Sequence, residues 1–158
     1  MTRAGGALSL VLALSAAAPA VAQPAQDVAA LSWLVGTWRG SGIMFGRPSE
    51  AVLEVHPALG GRFLELRYSA GGFEGRAFYR PAGEGRWRAQ WFDNRGISFA
   101  IEATMENRTL TADWGSEATE RGRTTYRLAD DGRLQLNDSV LRDGALRPFA
   151  SHDLVRAD

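Results

Sequence analysis

Few side chains in this sequence could carry out chemistry, and the two histidines are the first to consider. His56 lies on the polar side of a strand-like segment and directly precedes Pro57, which indicates a surface or turn position. His152 alternates with Leu154 and Arg156 near the end of the sequence, so these three side chains share one face of a strand. If Arg156 points inward, His152 does so too, and a hydrogen-bonded histidine in the interior or at the rim is the simplest interpretation.

Carboxylates are numerous, but nearly all of them fall on exposed faces or in turns. Asp138 is the exception, because it alternates with the apolar Leu134 and Leu136. An interior Asp138 could hydrogen-bond a ligand or a tyrosine, and a bulge at the strand end is the alternative. The sequence has no serine-nucleophile motif, no phosphate-binding loop and no histidine and carboxylate spacing typical of a metal site. An enzyme is therefore the less favoured interpretation, and no catalytic or metal-ligating residue is assigned.

The composition excludes further classes of function. The chain has no Cys, and its Lys+Arg total of 18 consists entirely of Arg. Disulfides, thiolate metal sites and lysine Schiff bases are thereby excluded. The arginines are scattered and balanced by 18 acidic residues, so there is no basic patch and no nucleic-acid partner is expected.

The first 22 residues have the pattern of a secretory signal peptide. Arg3 gives a weakly positive start, residues 7–18 are small and apolar, and residues 20–22 form an Ala-x-Ala cleavage site. The apolar run is too short to span a membrane comfortably. We therefore expect residues 23–26 to be a polar leader, residues 27–158 to form one domain, and the mature protein to be periplasmic or secreted.

The remaining sequence predicts an all-β fold that follows one short helix. Asp27 is suited to cap a helix over Val28 to Leu34, and Gly36 ends it. Apolar runs then alternate with turn-forming residues, which places strands near 36–45, 50–57, 62–70, 73–81, 86–93, 96–104, 108–114, 120–128, 132–141 and 145–156. No crossover helix fits between them, so the ten strands should form an antiparallel meander that hides its edges by closing into a barrel.

Alternation along the strands assigns four of the five tryptophans and all three tyrosines to the interior. A ten-stranded barrel is wider than an eight-stranded one, whose interior its own side chains can fill. Gly40 and Gly42 add no bulk to the interior. We therefore predict an apolar cavity that holds a small hydrophobic ligand; a filled barrel with a structural or interaction role is the alternative. The predicted ligand-binding residues are Trp38, Tyr68, Tyr79, Trp87, Trp91, Tyr126 and His152.

The opening segment Gly36-Thr37-Trp38, after a short helix and before ten strands, resembles the calycin superfamily. Residues 34–42 look like the opening of its fatty-acid-binding-protein-like and nitrobindin-like branch, whereas residues 56–64 look more like an uncharacterised secreted bacterial family. This resemblance implies that the Trp38 indole closes one end of the barrel beneath an arginine, for which Arg156 is the candidate. It also implies a second possibility, a haem held by His152.

Overall fold

The structure, a computed structural model, describes residues 28–157. The expected signal peptide and leader therefore lie outside the described residues. The helix predicted over Val28 to Leu34 is shorter than expected: it is a 3-10 helix, Val28–Leu31, followed by a turn. Backbone bonds from Ser32 N to Ala29 O and from Leu34 N to Leu31 O span three residues each, which is 3-10 geometry.

Ten strands follow, and their positions agree closely with the predicted ones. They are β1 Gly36–Met44, β2 Arg47–Ala58, β3 Phe63–Ala70, β4 Phe73–Gly83, β5 Arg86–Asp93, β6 Ser98–Glu106, β7 Thr109–Gly115, β8 Arg121–Leu128, β9 Leu134–Arg142 and β10 Ala145–Ala157. Each strand pairs antiparallel with the next, and β10 returns to pair with β1. The predicted all-β antiparallel barrel is confirmed, and its closure leaves neither β1 nor β10 as a free edge.

Tight turns and alternating side chains explain why the sequence adopts this fold. Glycines with positive φ occupy the hairpin turns, for example Gly71 and Gly72 between β3 and β4. Inward positions of each strand are buried and outward ones mostly exposed, as in β8 and β9. The pairing of β9 with β10 shifts register between Pro148 and Ala150. Because that irregularity precedes His152, the later alternation of β10 is undisturbed.

Trp38 is buried near one end of the barrel, which we call the closed end. Its indole Nε1 donates a hydrogen bond to the Leu34 carbonyl at 2.9 Å, so the turn after the 3-10 helix covers the ring. On the other side, the Arg156 guanidinium lies 4.2 Å from the ring centroid. Arg156 also donates hydrogen bonds to the carbonyls of Val35 and Trp33, which fastens the last strand to the segment before the first.

The glycines of β1 have a different role from the expected one. Gly40 and Gly42 were expected to leave room in the interior, but a Cβ at either position would collide with the backbone of β10. The missing side chains thus permit close approach of β1 to β10 instead of contributing cavity space.

Within residues 28–157 there is no helix long and apolar enough to cross a membrane.

Candidate functional site

A cavity of about 210 Å³ lies within the barrel towards the opposite end, which we call the open end. The connections at residues 45–46, 71–72, 94–97, 116–120 and 143–144 surround this end. Most of the lining is aromatic or aliphatic. Thr124 and Asp138 are polar residues inside the cavity, and the charged Arg95, Glu120 and Arg142 lie at its mouth. The lining residues are Met44, Phe45, Tyr68, Phe73, Tyr79, Trp91, Arg95, Phe99, Ile101, Ala112, Trp114, Glu120, Thr124, Tyr126, Leu136, Asp138, Val140, Arg142 and Phe149.

Four of the predicted ligand-binding residues come together in this lining. They are Tyr68, Tyr79, Trp91 and Tyr126. The other three predicted residues are buried in the interior but do not line the cavity. Trp38 belongs to the closed end, Trp87 is 2% exposed within the core, and His152 lies behind Tyr68.

The lining also contains polar residues that the list of predicted binding residues omitted. Trp114 Nε1 donates a hydrogen bond to Thr124 Oγ1 at 3.2 Å, and Thr124 Oγ1 donates to Asp138 Oδ1 at 2.5 Å. Asp138 is 9% exposed, in agreement with its alternation with Leu134 and Leu136. That alternation was the one sequence signal for this group; nothing marked Thr124 or Trp114 as its partners.

Burial changes the acidity of the groups around the cavity. It raises the pKa of Asp138 to about 6, although the hydrogen bond from Thr124 opposes the increase. Burial also raises the pKa values of Tyr68, Tyr79 and Tyr126, and the charge of Asp138 adds to each increase. The phenols are therefore neutral hydrogen-bonding groups at neutral pH, whereas Asp138 is mostly a carboxylate.

His152 is held on both sides by hydroxyl groups. Its Nε2 lies 2.7 Å from Ser49 Oγ and its Nδ1 lies 3.3 Å from Tyr68 Oη. Burial lowers the pKa of His152, while the charge of Glu50 acts in the opposite direction. A neutral imidazole with two hydroxyl partners can orient Tyr68 at the cavity wall. His56, in contrast, is exposed, as its position before Pro57 indicated.

This arrangement does not fit haem ligation by His152. Both ring nitrogens already have hydrogen-bond partners, and an iron ligand needs one of them free. The cavity volume of about 210 Å³ is below the range of about 300–1,000 Å³ typical of ligand pockets, and a porphyrin is a large ligand. No cluster of three or more potential metal-ligating side chains occurs among residues 28–157.

The charged residues at the mouth are paired with one another. Glu120 lies 3.3 Å from one guanidinium nitrogen of Arg95 and 3.4 Å from one of Arg142. Arg95 also pairs at 2.9 Å with Asp93, whose side chain is fully buried. Two guanidinium groups are thus balanced by two carboxylates. Within the described part of the chain, Asp138 has no such cationic partner.

Two tryptophans lie flat against the wall near the mouth, because glycines face them. A Cβ at Gly75 would collide with the Trp91 ring, and a Cβ at Gly122 would collide with the Trp114 ring. Trp91 also stacks on Phe73, with ring centroids 6.1 Å apart, and Trp114 stacks on Phe99 at 5.3 Å. These half-buried rings line the cavity without filling it.

The fold and the site together define a class: a closed, ten-stranded antiparallel β-barrel with an aromatic-lined cavity. No protein-family model matches the chain, and no curated protein matches it significantly. Among solved structures, the crystal structure of Rv2717c from M. tuberculosis is similar to it, with a TM-score of 0.65 and 18% sequence identity. The similarity covers 86% of this chain and 99% of that chain. At this level of identity it shows the shared barrel fold.

Proposed function

We propose that this protein is a binding protein for a small hydrophobic ligand held in the barrel cavity. The observation that carries the proposal is the cavity itself, whose wall is formed by the flat faces of Trp91 and Trp114 and by the tyrosine side chains. A largely apolar, concave site with a few convergent polar groups is the usual form of a small-molecule site. Its modest volume favours a compact ligand over a long-chain lipid.

The same proposal includes a family placement and a location. The opening residues Gly36-Thr37-Trp38 and the barrel fold support membership of the calycin superfamily, in its fatty-acid-binding-protein-like and nitrobindin-like branch. The signal-peptide pattern of residues 1–22 supports export to the periplasm or the medium. Amino-terminal sequencing of the protein from its host should therefore find Gln23 near the start; retention of Met1 would contradict export.

A neutral environment-sensitive dye, N-phenyl-1-naphthylamine, provides the test of the cavity. We expect the fluorescence of the dye to rise on binding. Trp91→Ala should weaken the affinity for the dye about tenfold, which is a loss of about 1.4 kcal/mol of binding free energy. Trp87→Ala is the matched control, because Trp87 is a buried tryptophan outside the lining. It should lower stability while leaving the dye affinity of the folded protein nearly unchanged.

The alternatives give different results in the same experiment. Dye binding that is absent, or equally sensitive to Trp87→Ala and Trp91→Ala, would contradict the cavity proposal and favour a filled barrel with a structural or interaction role. The haem alternative predicts a stoichiometric Soret band that is lost specifically in His152→Ala. We expect no such band, because His152 would first have to release Ser49 or Tyr68.

A further inference from the structure

Asp138 is the one feature of the cavity that a purely hydrophobic ligand leaves unexplained. Its Oδ1 accepts the hydrogen bond from Thr124, and among residues 28–157 the carboxylate forms no ion pair. The side chain lies among apolar and aromatic groups and is nine-tenths buried. A buried carboxylate without a counter-charge costs free energy, so a ligand that provides this charge would bind favourably.

The charges around the cavity favour a cation at this point. The arginines of the lining, Arg95 and Arg142, are paired with Asp93 and Glu120 at the mouth. They are therefore neutralised where they lie, and neither forms an ion pair with Asp138. The mouth carries no net charge that would repel a cationic ligand.

The aromatic lining suits the same type of ligand. The rings of Trp91, Trp114 and Phe99 present faces or edges to the cavity, and the negative faces of aromatic rings attract organic cations. The hydroxyls of Tyr79 and Tyr126 lie near Asp138 and can accept further hydrogen bonds from an ammonium group.

We propose that the ligand is a small aromatic or aliphatic amine, bound as an ammonium ion whose N–H groups donate to Asp138 Oδ2 while its apolar part lies against Trp91 and Trp114. This proposal rests on the proposed function, because it assigns the ligand class to the same cavity. It makes Asp138 the specificity-determining residue and Thr124 the residue that positions its carboxylate.

Calorimetric titration with 2-phenylethylamine and its neutral analogue 2-phenylethanol provides the test. At pH 7.5 we expect the amine to bind about ten- to a hundredfold more tightly than the alcohol, as a charge-assisted hydrogen bond implies. Asp138→Asn, which keeps an acceptor for Thr124, should remove this difference by weakening the amine and leaving the alcohol within about threefold. Equal binding of the two compounds by the wild-type protein would overturn the proposal.

The pH dependence gives a second measurement that needs no variant. Amine affinity should decrease between pH 7 and pH 5 as Asp138 takes up a proton, while alcohol affinity should stay constant. The groups that face Asp138 are Thr124 and Tyr126 of β8, Tyr68 of β3 and Tyr79 of β4. The phenols do not titrate in this range.

His152 of β10, behind Tyr68, and the charged residues of the mouth could also contribute to a pH effect. Asp138→Asn separates these contributions, since any change with pH that remains in its amine affinity comes from the other groups. A pH-independent amine affinity in the wild-type protein would contradict the role of Asp138. If Trp91-dependent dye binding is observed but the amine shows no preference, the ligand class is wrong and the binding function stands; if the dye does not bind either, both fail.

Discussion

The two ends of the barrel use tryptophan in opposite ways. At the closed end, Trp38 is 1% exposed, with the turn after the 3-10 helix on one side and Arg156 on the other. At the open end, Trp91 and Trp114 lie across Gly75 and Gly122, and their remaining faces border the cavity. The difference shows that the residues opposite an interior indole decide whether it fills the barrel or lines a site.

The polar groups of the two ends also differ in their partners. At the closed end, the Trp38 N–H and the Arg156 guanidinium both donate to backbone carbonyls, although the Trp33 indole Nε1 is buried without a hydrogen-bond partner in the described part of the chain. At the open end, Trp114 donates to Thr124 and Thr124 to Asp138, whose carboxylate forms no ion pair among residues 28–157. We infer that the closed end contributes stability and that the open end gives up some stability for binding.

The largest expected effect tests the closed end. Trp38→Ala should lower the free energy of unfolding by about 3–5 kcal/mol, because it removes a fully buried indole and leaves a cavity. Denaturant titration measures the change, and Trp91→Ala is the comparison, since a half-buried ring against a glycine should cost clearly less. An unchanged denaturation midpoint for Trp38→Ala would show that Trp38 does not close the barrel.

The second effect concerns the folding stability that the buried Asp138 carboxylate costs. Its pKa is about 6 in the folded protein, above the ordinary 3.8, so the folded state holds the proton more tightly than the unfolded chain. Stability from this group is therefore present below pH 3.8 and is lost as pH rises through about 6. Asp138→Asn should stabilise the protein at pH 7 by about 1–3 kcal/mol.

The same variant should differ little from wild type at pH 4, which denaturant titrations at the two pH values would show. Comparing the two proteins at each pH cancels the contribution of His152, whose lowered pKa acts in the opposite direction as pH falls. A variant less stable than wild type at pH 7 would mean that Asp138 supports the fold, contrary to the comparison of the two ends.

The smallest effect separates the two parts of the closed end. Arg156→Ala should cost about 1 kcal/mol, because the guanidinium is exposed and contributes a cation–π contact and two carbonyl contacts. Arg156→Lys keeps the charge but loses the planar fork, so thermal unfolding should place it between wild type and Arg156→Ala. If Arg156→Ala lowered the free energy of unfolding as much as Trp38→Ala does, Arg156 and Trp38 would act as one unit.

Alternation and turn residues in the sequence were sufficient to predict the fold and the facing of its side chains. They placed all ten strands and put Asp138 on the inner face, because both features depend on local periodicity. They could not tell that Trp87 lies outside the cavity and Trp91 within its lining, although both face inward from β5. The height of a side chain along the barrel axis depends on strand tilt and stagger, which a single strand does not encode.

The role of Gly40 and Gly42 was missed for a related reason. Alternation shows that a glycine faces inward, but it does not show how closely a neighbouring strand approaches. Likewise, the partners of His152 come from β2 and β3, 103 and 84 residues earlier in the sequence. Contacts of this kind arise from barrel closure and leave no trace in the spacing of residues along the chain.

The pairing of β1 with β10 has a consequence for the order of folding. Nine of the ten strand pairs join neighbours in the sequence and can form as soon as their hairpins exist. The tenth brings together segments far apart, as the 121-residue separation of Val35 and Arg156 shows, so we expect its loop-closure entropy to make it the slow step. Until that step is complete, the growing sheet exposes two unpaired edges, and this interval is when the chain is most prone to aggregate.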